Sequence, residues 1–337
     1  MLVQKDISLK PYHTFGIEVK TKYLIEVHNI EDVKDALNFQ KQQNLELLIL
    51  GGGSNLLFTK DFEGVVIKVT LKGIEKIKED ENSVWLKVAA GENWHEFVLF
   101  CIENGWGGVE NLSLIPGTVG AAPMQNIGAY GVEIKETFDS LEAYHLQSGE
   151  IHQFSKEQCK FGYRESIFKN EVKGQYLITS VVFKLSKKHL LNFSYGDIQQ
   201  VLARENIEPS ISNISQAVIE IRSSKLPNPK EIGNAGSFFK NPFIEKTHFE
   251  KLKDLYPQIP VYPVDEKLVK IPAGWLIEQC GWKGYKNGDA GVHAKQALVL
   301  VNYGHAKGVE IGELSEMIKK SVSEKFGIAL HTEVNIV

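Results

Sequence analysis

The run LILGGGSNLL, residues 48 to 57, is the first place where residue types and spacing could do chemistry. It reads as a strand ending in a turn whose glycines let backbone N–H groups close in on an anion, and Ser54 and Asn55 add short polar side chains. Phosphate is the natural guest. No Gly-Lys-Ser/Thr follows, so this is not a P-loop, and Leu56 stands where a dinucleotide fingerprint would place its third glycine. A plain tight turn could carry the same three glycines. A second small-residue segment, IPGTVGAAPMQNIGAYG from Ile115 to Gly131, favours a ligand. Two such loops following β-rich stretches could enclose a dinucleotide, one at the pyrophosphate and one against a flat ring system.

The last segment, IALHTEVNIV, alternates: Ile328, Leu330, Thr332, Val334 and Ile336 face one way, and His331, Glu333 and Asn335 the other. Glu333 is thereby expected on the side away from the local core, as an exposed carboxylate would also be. The ten histidines show no HExxH spacing, and Cys101, Cys159 and Cys280 form no CxxC pair. No metal and no disulfide framework are expected.

Around these residues the elements read as mixed α and β. Asn29 to Asn44 places Val33, Ala36 and Leu37 at helical spacing, and LELLIL at 45 to 50 reads as a buried strand stopping at Gly51. VVIKVT (65 to 70) and SVWLKVAAG (83 to 91) are predicted strands. Trp94, Phe97, Val98, Cys101 and Ile102 form one helical face closed by Gly105. The stretch from Glu110 to Gly131 is too rich in glycine and small residues to build a packed helix and is expected as a loop moulded around something. SLEAYHL with the turn QSGE suggests a hairpin, and QYLITSVVFKL a strong strand. Helices are predicted through Phe249 to Tyr256 and near Gly274 to Cys280, and a strand at QALVLVN (296 to 302). A long helix then lines up Ile311, Leu314, Ile318 and Val322 and stops at Gly327.

With 337 residues the chain exceeds one ordinary core, so two or three domains are expected. The organisation read here is an N-terminal α/β subdomain over 1–70, a second α+β subdomain over 71–205 and a C-terminal domain over 206–337, with a boundary falling between Ser186 and Ser223. A formal charge of -4 supplies no basic field for a polyanion, which argues against nucleic acid. No stretch has the length of a transmembrane span and the N-terminus lacks a signal-peptide core, so no membrane association and a cytoplasmic location are expected, with a monomer as the working assembly.

Taken with FGYRESIFK (161 to 169), SYGD (194 to 197), RSSKLPNPK (222 to 230) and GNAGSFFKNP (233 to 242), the two loops resemble the UDP-N-acetylenolpyruvoylglucosamine reductases. The resemblance runs in order from TFGI at 14 to TEV at 332 to 334, and the SYGD tyrosine resembles that of the family's type I branch. It implies an α+β chain: an FAD-binding fold of the vanillyl-alcohol-oxidase type with a C-terminal α+β substrate-binding domain. It also implies non-covalent FAD, NADPH as hydride source, UDP-N-acetylglucosamine enolpyruvate as acceptor, and a place in peptidoglycan synthesis and so in cell-wall biogenesis, cell shape and division.

Carried over by position, Gly51, Gly52, Gly53, Ser54, Asn55, Ile115, Pro116, Gly117, Gly120, Asn126 and Gly128 would hold FAD, with Arg222 as a further contact. Arg164 would meet the substrate carboxylate as it turns enolate-like, a task suited to a rigid, permanently charged fork. Ser237 would supply the proton, and Glu333 is the matching glutamate, protonated or acting through water because two bare negative charges repel. The three are expected to meet at the flavin ring. Tyr195, Lys225, Asn241 and Gln296 would grip the UDP-sugar. Two other readings use the same cleft: a flavin-dependent alcohol oxidase, and a sugar-nucleotide or flavin sensor without turnover, which would have no need of a proton donor.

Overall fold

A computed structural model describes all of residues 1–337. The chain divides into two compact units, Met1–Ile7 with Thr21–Gly52 and Glu63–Ser224, and Ser8–Lys20 with Gly53–Phe62 and Lys225–Val337.

In the first unit, helix α1 (Ile30–Gln43) starts where Asn29 Oδ1 accepts the Asp32 N–H at 2.9 Å and stops at Asn44 in the left-handed region. Those two asparagines bracket the helix chemically. Its Val33, Ala36 and Leu37 pack with Ile25, Val27, Val65, Ile67 and Val69 of a four-stranded sheet. The strand order is Val3–Ser8, Lys20–Val27, Phe62–Val69, Glu46–Leu50. Glu46–Leu50 runs parallel to Phe62–Val69, with Leu50 opposite Lys68. It is an edge strand. Of its five residues only Leu50 is buried, so the apolar run at 45 to 50 forms a strand but not the buried one expected.

A five-stranded antiparallel sheet follows, in the order Ile151–Ser155, Phe138–His145, Tyr176–Ser186, Ser83–Ala89, Ile74–Glu79. Helix α2 (Trp94–Glu103) lays Trp94 and Phe97 against Phe183 of this sheet, with ring centroids 4.9 to 5.8 Å apart. The buried indole of Trp94 donates to the Leu112 carbonyl at 2.9 Å, which satisfies its N–H away from water. The Glu110–Gly131 segment is not wholly loop: it contains short 3-10 turns at Glu110–Leu112 and Val119–Gln125. Such turns need no amphipathic repeat, so composition could not reveal them. Two further helices, α3 (Gly196–Glu205) and α4 (Ile211–Lys225), pack together through Ile198, Val201, Leu202, Ile214, Val218 and Ile221.

The second unit is built on an antiparallel sheet ordered Gly233–Ser237, Val299–Asn302, Ala290–Val292, Lys286–Asn287. Helix α5 (Lys246–Leu255), α6 (Ala273–Gln279) and α7 (Gly308–Phe326) complete it, with Tyr256, Trp275 and Phe326 forming a ring cluster. The tail departs from the single alternating strand expected: Thr332 makes one bridge, to Phe239, and Asn335–Ile336 pairs in parallel with Leu56–Leu57. Ile328, Leu330 and Val334 are buried as the alternation requires, whereas Ile336 is 48% exposed because nothing covers the end of a two-residue strand.

Candidate active site

In the first unit the two glycine-rich loops touch through their backbones. A Cβ on Gly52 would lie 2.5 Å from the Gly117 Cα, closer than any real side chain could come. The approach therefore requires glycine for steric reasons. Val119 and Gly120 donate to the carbonyls of Glu92 and Ala90 at 2.9 Å each, fixing the second loop against the sheet. Asn126 is fully buried in the left-handed region; its amide donates to the Gly162 carbonyl at 2.9 Å and to Glu133 at 3.0 Å, and its Oδ1 accepts the Lys135 N–H. Its side chain thus fastens this loop to the turn bearing Arg164.

Arg164 itself has φ +57, a conformation L residues seldom adopt, within a turn where Gly162 and Glu165 bond to each other's backbones. Its Nη2 donates to the Gly128 carbonyl at 2.6 Å. Leu114, Asn126 and Tyr130 also have positive φ. Strain gathered on neighbouring loops is a mark of functional sites. Near the C-terminal end of α4, the Arg222 Nε is sealed from solvent without a hydrogen-bond partner. Burial draws the Arg222 pKa down, Tyr130 opposes that by pairing with it, and Arg164 adds to it. His95 is held below its ordinary pKa by burial first and then by Arg222. The buried Arg222 guanidinium and the glycine cradle fit an anionic dinucleotide, whose negative charge would compensate the buried cation. Tyr195 precedes α3, is 41% exposed, and meets Tyr130 edge-on at 5.5 Å. Lys225 ends α4.

The second unit holds the other predicted residues. Gly53 has φ +65, and a Cβ there would fall 2.1 Å from the Tyr12 carbonyl oxygen, so this glycine is fixed by both backbone handedness and crowding. Asn234 shapes the next strand: its Oδ1 accepts the Gly236 N–H at 3.0 Å while its amide donates to Pro227 and Ile232. A register irregularity follows between Asn234 and Ser237, and it leaves Ser237 exposed at the strand end. Alongside, the Glu333 N–H donates to the Phe238 carbonyl at 2.8 Å, and Asn55 Nδ2 donates to the Glu333 carbonyl at 3.1 Å. Ser237, Glu333 and Asn55, far apart in sequence, thus share one edge. Asn241 and Gln296 each stand against the start of α6: Asn241 Oδ1 accepts the Ala273 N–H at 2.9 Å, and Gln296 Oε1 lies 3.1 Å from where a Gly274 Cβ would stand.

Asn111, Tyr130 and Asn234 also shape these loops, and residue type alone did not single them out. Asn111 is buried and donates to the Tyr130 and Asn192 carbonyls. Tyr130 and Asn234 lie within quoted motifs, but their hydrogen-bonding roles are not encoded by residue type.

An FAD binding domain family model matches residues 21–155, and a model for the C-terminal domain of UDP-N-acetylenolpyruvoylglucosamine reductase matches 228–337. The glycine cradle, lying within the first match, with Arg164 bonded to its Gly128 carbonyl from just beyond that match, defines an FAD-binding domain protein of the α+β class. Across the whole length the chain is 55% identical to the UDP-N-acetylenolpyruvoylglucosamine reductase of Flavobacterium johnsoniae and 52% identical to that of Amoebophilus asiaticus, covering 100% of each. The solved reductase of Thermus caldophilus superimposes with a TM-score of 0.70 at 25% identity over 100% of this chain and 99% of that one. A 6-hydroxy-D-nicotine oxidase from Arthrobacter nicotinovorans shares the fold, with a TM-score of 0.51 at 13% identity over 97% of this chain and 86% of that one. The chain belongs to the UDP-N-acetylenolpyruvoylglucosamine reductase family.

Proposed function

We infer that the protein reduces the enolpyruvyl double bond of UDP-N-acetylglucosamine enolpyruvate to give UDP-N-acetylmuramate, using FAD and NADPH. The observation that carries this is the exposed Ser237 hydroxyl on an Asn234-shaped strand end beside Glu333, because an alcohol oxidase or a sensor needs no proton donor there. When bound, FAD supplies the hydride that reaches the terminal enolpyruvyl carbon. The chain's own residues must then manage charge and proton.

Arg164 is assigned to the substrate carboxylate, where its permanent charge and planar fork stabilise the enolate-like form. Its strained backbone and its bond to Gly128 restrict where the guanidinium can swing. Ser237 is assigned the proton delivered to the carbon bearing the ether oxygen; a hydroxyl is a poor acid in water and is effective only when positioned. Glu333 is assigned to that step beside it, as the protonated acid or through water. Tyr195, Lys225, Asn241 and Gln296 are assigned to the nucleotide end, giving a ring to stack and groups for the diphosphate. Gly51, Gly52, Ser54, Asn55, Ile115, Pro116, Gly117, Gly120 and Gly128 are assigned to FAD, with Gly53, Asn126 and Arg222 shaping and charging its cradle. A monomer working in the cytoplasm, serving peptidoglycan synthesis and thereby cell shape and division, is the setting this activity suggests. No helix is long and apolar enough to cross a membrane.

The test is stoichiometric. NADPH should be consumed only when the enolpyruvyl sugar-nucleotide is present, with a product two hydrogens heavier by mass spectrometry. Hydrogen peroxide release from small alcohols, with no consumption of the sugar-nucleotide, would refute the reading.

A further inference from the structure

Lys68 interrupts a run in which Val65, Val66, Ile67 and Val69 are buried, in a strand with neighbours on both sides. An ammonium in such a place loses hydration and needs a compensating partner. The pairing register sets Lys68 opposite Leu50, the last residue before the glycine loop, and its Nζ donates to the Gly51 carbonyl. The charge therefore stands at the root of GGGSN. Around it lie Glu26 on the neighbouring strand and Lys72; burial lowers the Lys68 pKa, Glu26 opposes this and Lys72 reinforces it.

We propose that Lys68 is a positioning residue for the cofactor: its bond to the Gly51 carbonyl sets the course of the glycine loop, and its charge favours the dinucleotide's diphosphate there. The proposal rests on the FAD-binding reading above. Gly51 leads directly into Gly52, whose backbone is pressed against Gly117, so a shift at Gly51 reaches both glycine-rich loops. For the fold alone an apolar residue would serve at least as well as Lys68, since burying an ammonium costs hydration that methionine does not lose.

Full-length wild type, Lys68→Met and Lys68→Arg are titrated with FAD by flavin fluorescence, and each is unfolded in urea without added FAD. Lys68→Met should bind FAD about ten- to a hundredfold more weakly, the loss expected for one charge-assisted bond. Its urea midpoint should equal or exceed that of wild type. Lys68→Arg should recover most of the affinity. Unchanged affinity in Lys68→Met, an arginine variant as weak as the methionine one, or a weakened methionine variant that also unfolds at lower urea would each overturn the proposal. Failure of the wild type itself to bind FAD would instead overturn the cofactor reading.

Discussion

At the scale of single residues, chemistry and fold meet in side chains whose surroundings leave them one use. Arg164 carries a backbone conformation that costs energy for any residue but glycine, and neighbouring loops hold it there. His13 shows the same economy in a structural part. Its Nε2 bonds to the Ile17 carbonyl at 3.0 Å, its Nδ1 is sealed without a partner, and its ring meets Phe58 edge-on at 5.2 Å. Burial lowers its pKa more than the Ile17 carbonyl and Glu18 raise it. The unfolded chain therefore takes up a proton before the folded one does. Stability from the neutral ring is present above the unfolded value of 6.5 and is lost as pH falls from there through the folded pKa. His13→Gln should flatten the fall in melting temperature between about pH 7 and pH 5, the range around an ordinary histidine. An equally steep fall in the variant would assign the acid sensitivity elsewhere.

Elements come next. Helix α1 was legible because asparagines stand at both ends and apolar residues recur between them; α7 was legible from its spacing and from Gly327. The glycine loops were legible by composition. Helices α3 and α4 were missed, although Ile211, Ile214, Val218 and Ile221 have helical spacing, because Ser212, Asn213 and Ser215 crowd the first turn of α4 with residues that favour caps and turns. Positive φ at Arg164 and the Lys68–Gly51 bond were illegible for a different reason: backbone handedness and the partner of a lysine are tertiary facts. Gly52→Ala tests the loop contact. With the added carbon 2.5 Å from Gly117, the loops must part, and the variant should lose bound flavin while keeping its far-ultraviolet circular dichroism. Full flavin occupancy in the variant would show that the contact is dispensable.

For the whole molecule, the second unit draws on three separate stretches of chain. Phe15 and Phe58 from the two early stretches are fully buried in it, the Asn302 amide donates to the Phe15 carbonyl at 3.0 Å, and a Gly308 Cβ would collide with the Phe58 carbonyl oxygen at 1.7 Å. No local pattern announces that aromatics so early belong with the C-terminal third. Residues 225–337 expressed alone should consequently lack fixed packing, binding a hydrophobic dye and showing no near-ultraviolet dichroism. A sharp cooperative unfolding transition from that fragment would contradict the interleaving. The protein family, by contrast, was legible from motifs spread along the whole chain, and full-length identity bears that resemblance out.

The central claim is that Ser237 delivers the proton that completes reduction. Anaerobic visible spectra test it: in the wild type NADPH should bleach the flavin bands and the enolpyruvyl sugar-nucleotide should restore them. Ser237→Ala should bleach as the wild type does yet recover about 10²- to 10⁴-fold more slowly. Recovery of the variant at the wild-type rate, or a wild type whose colour the sugar-nucleotide cannot restore, would contradict it.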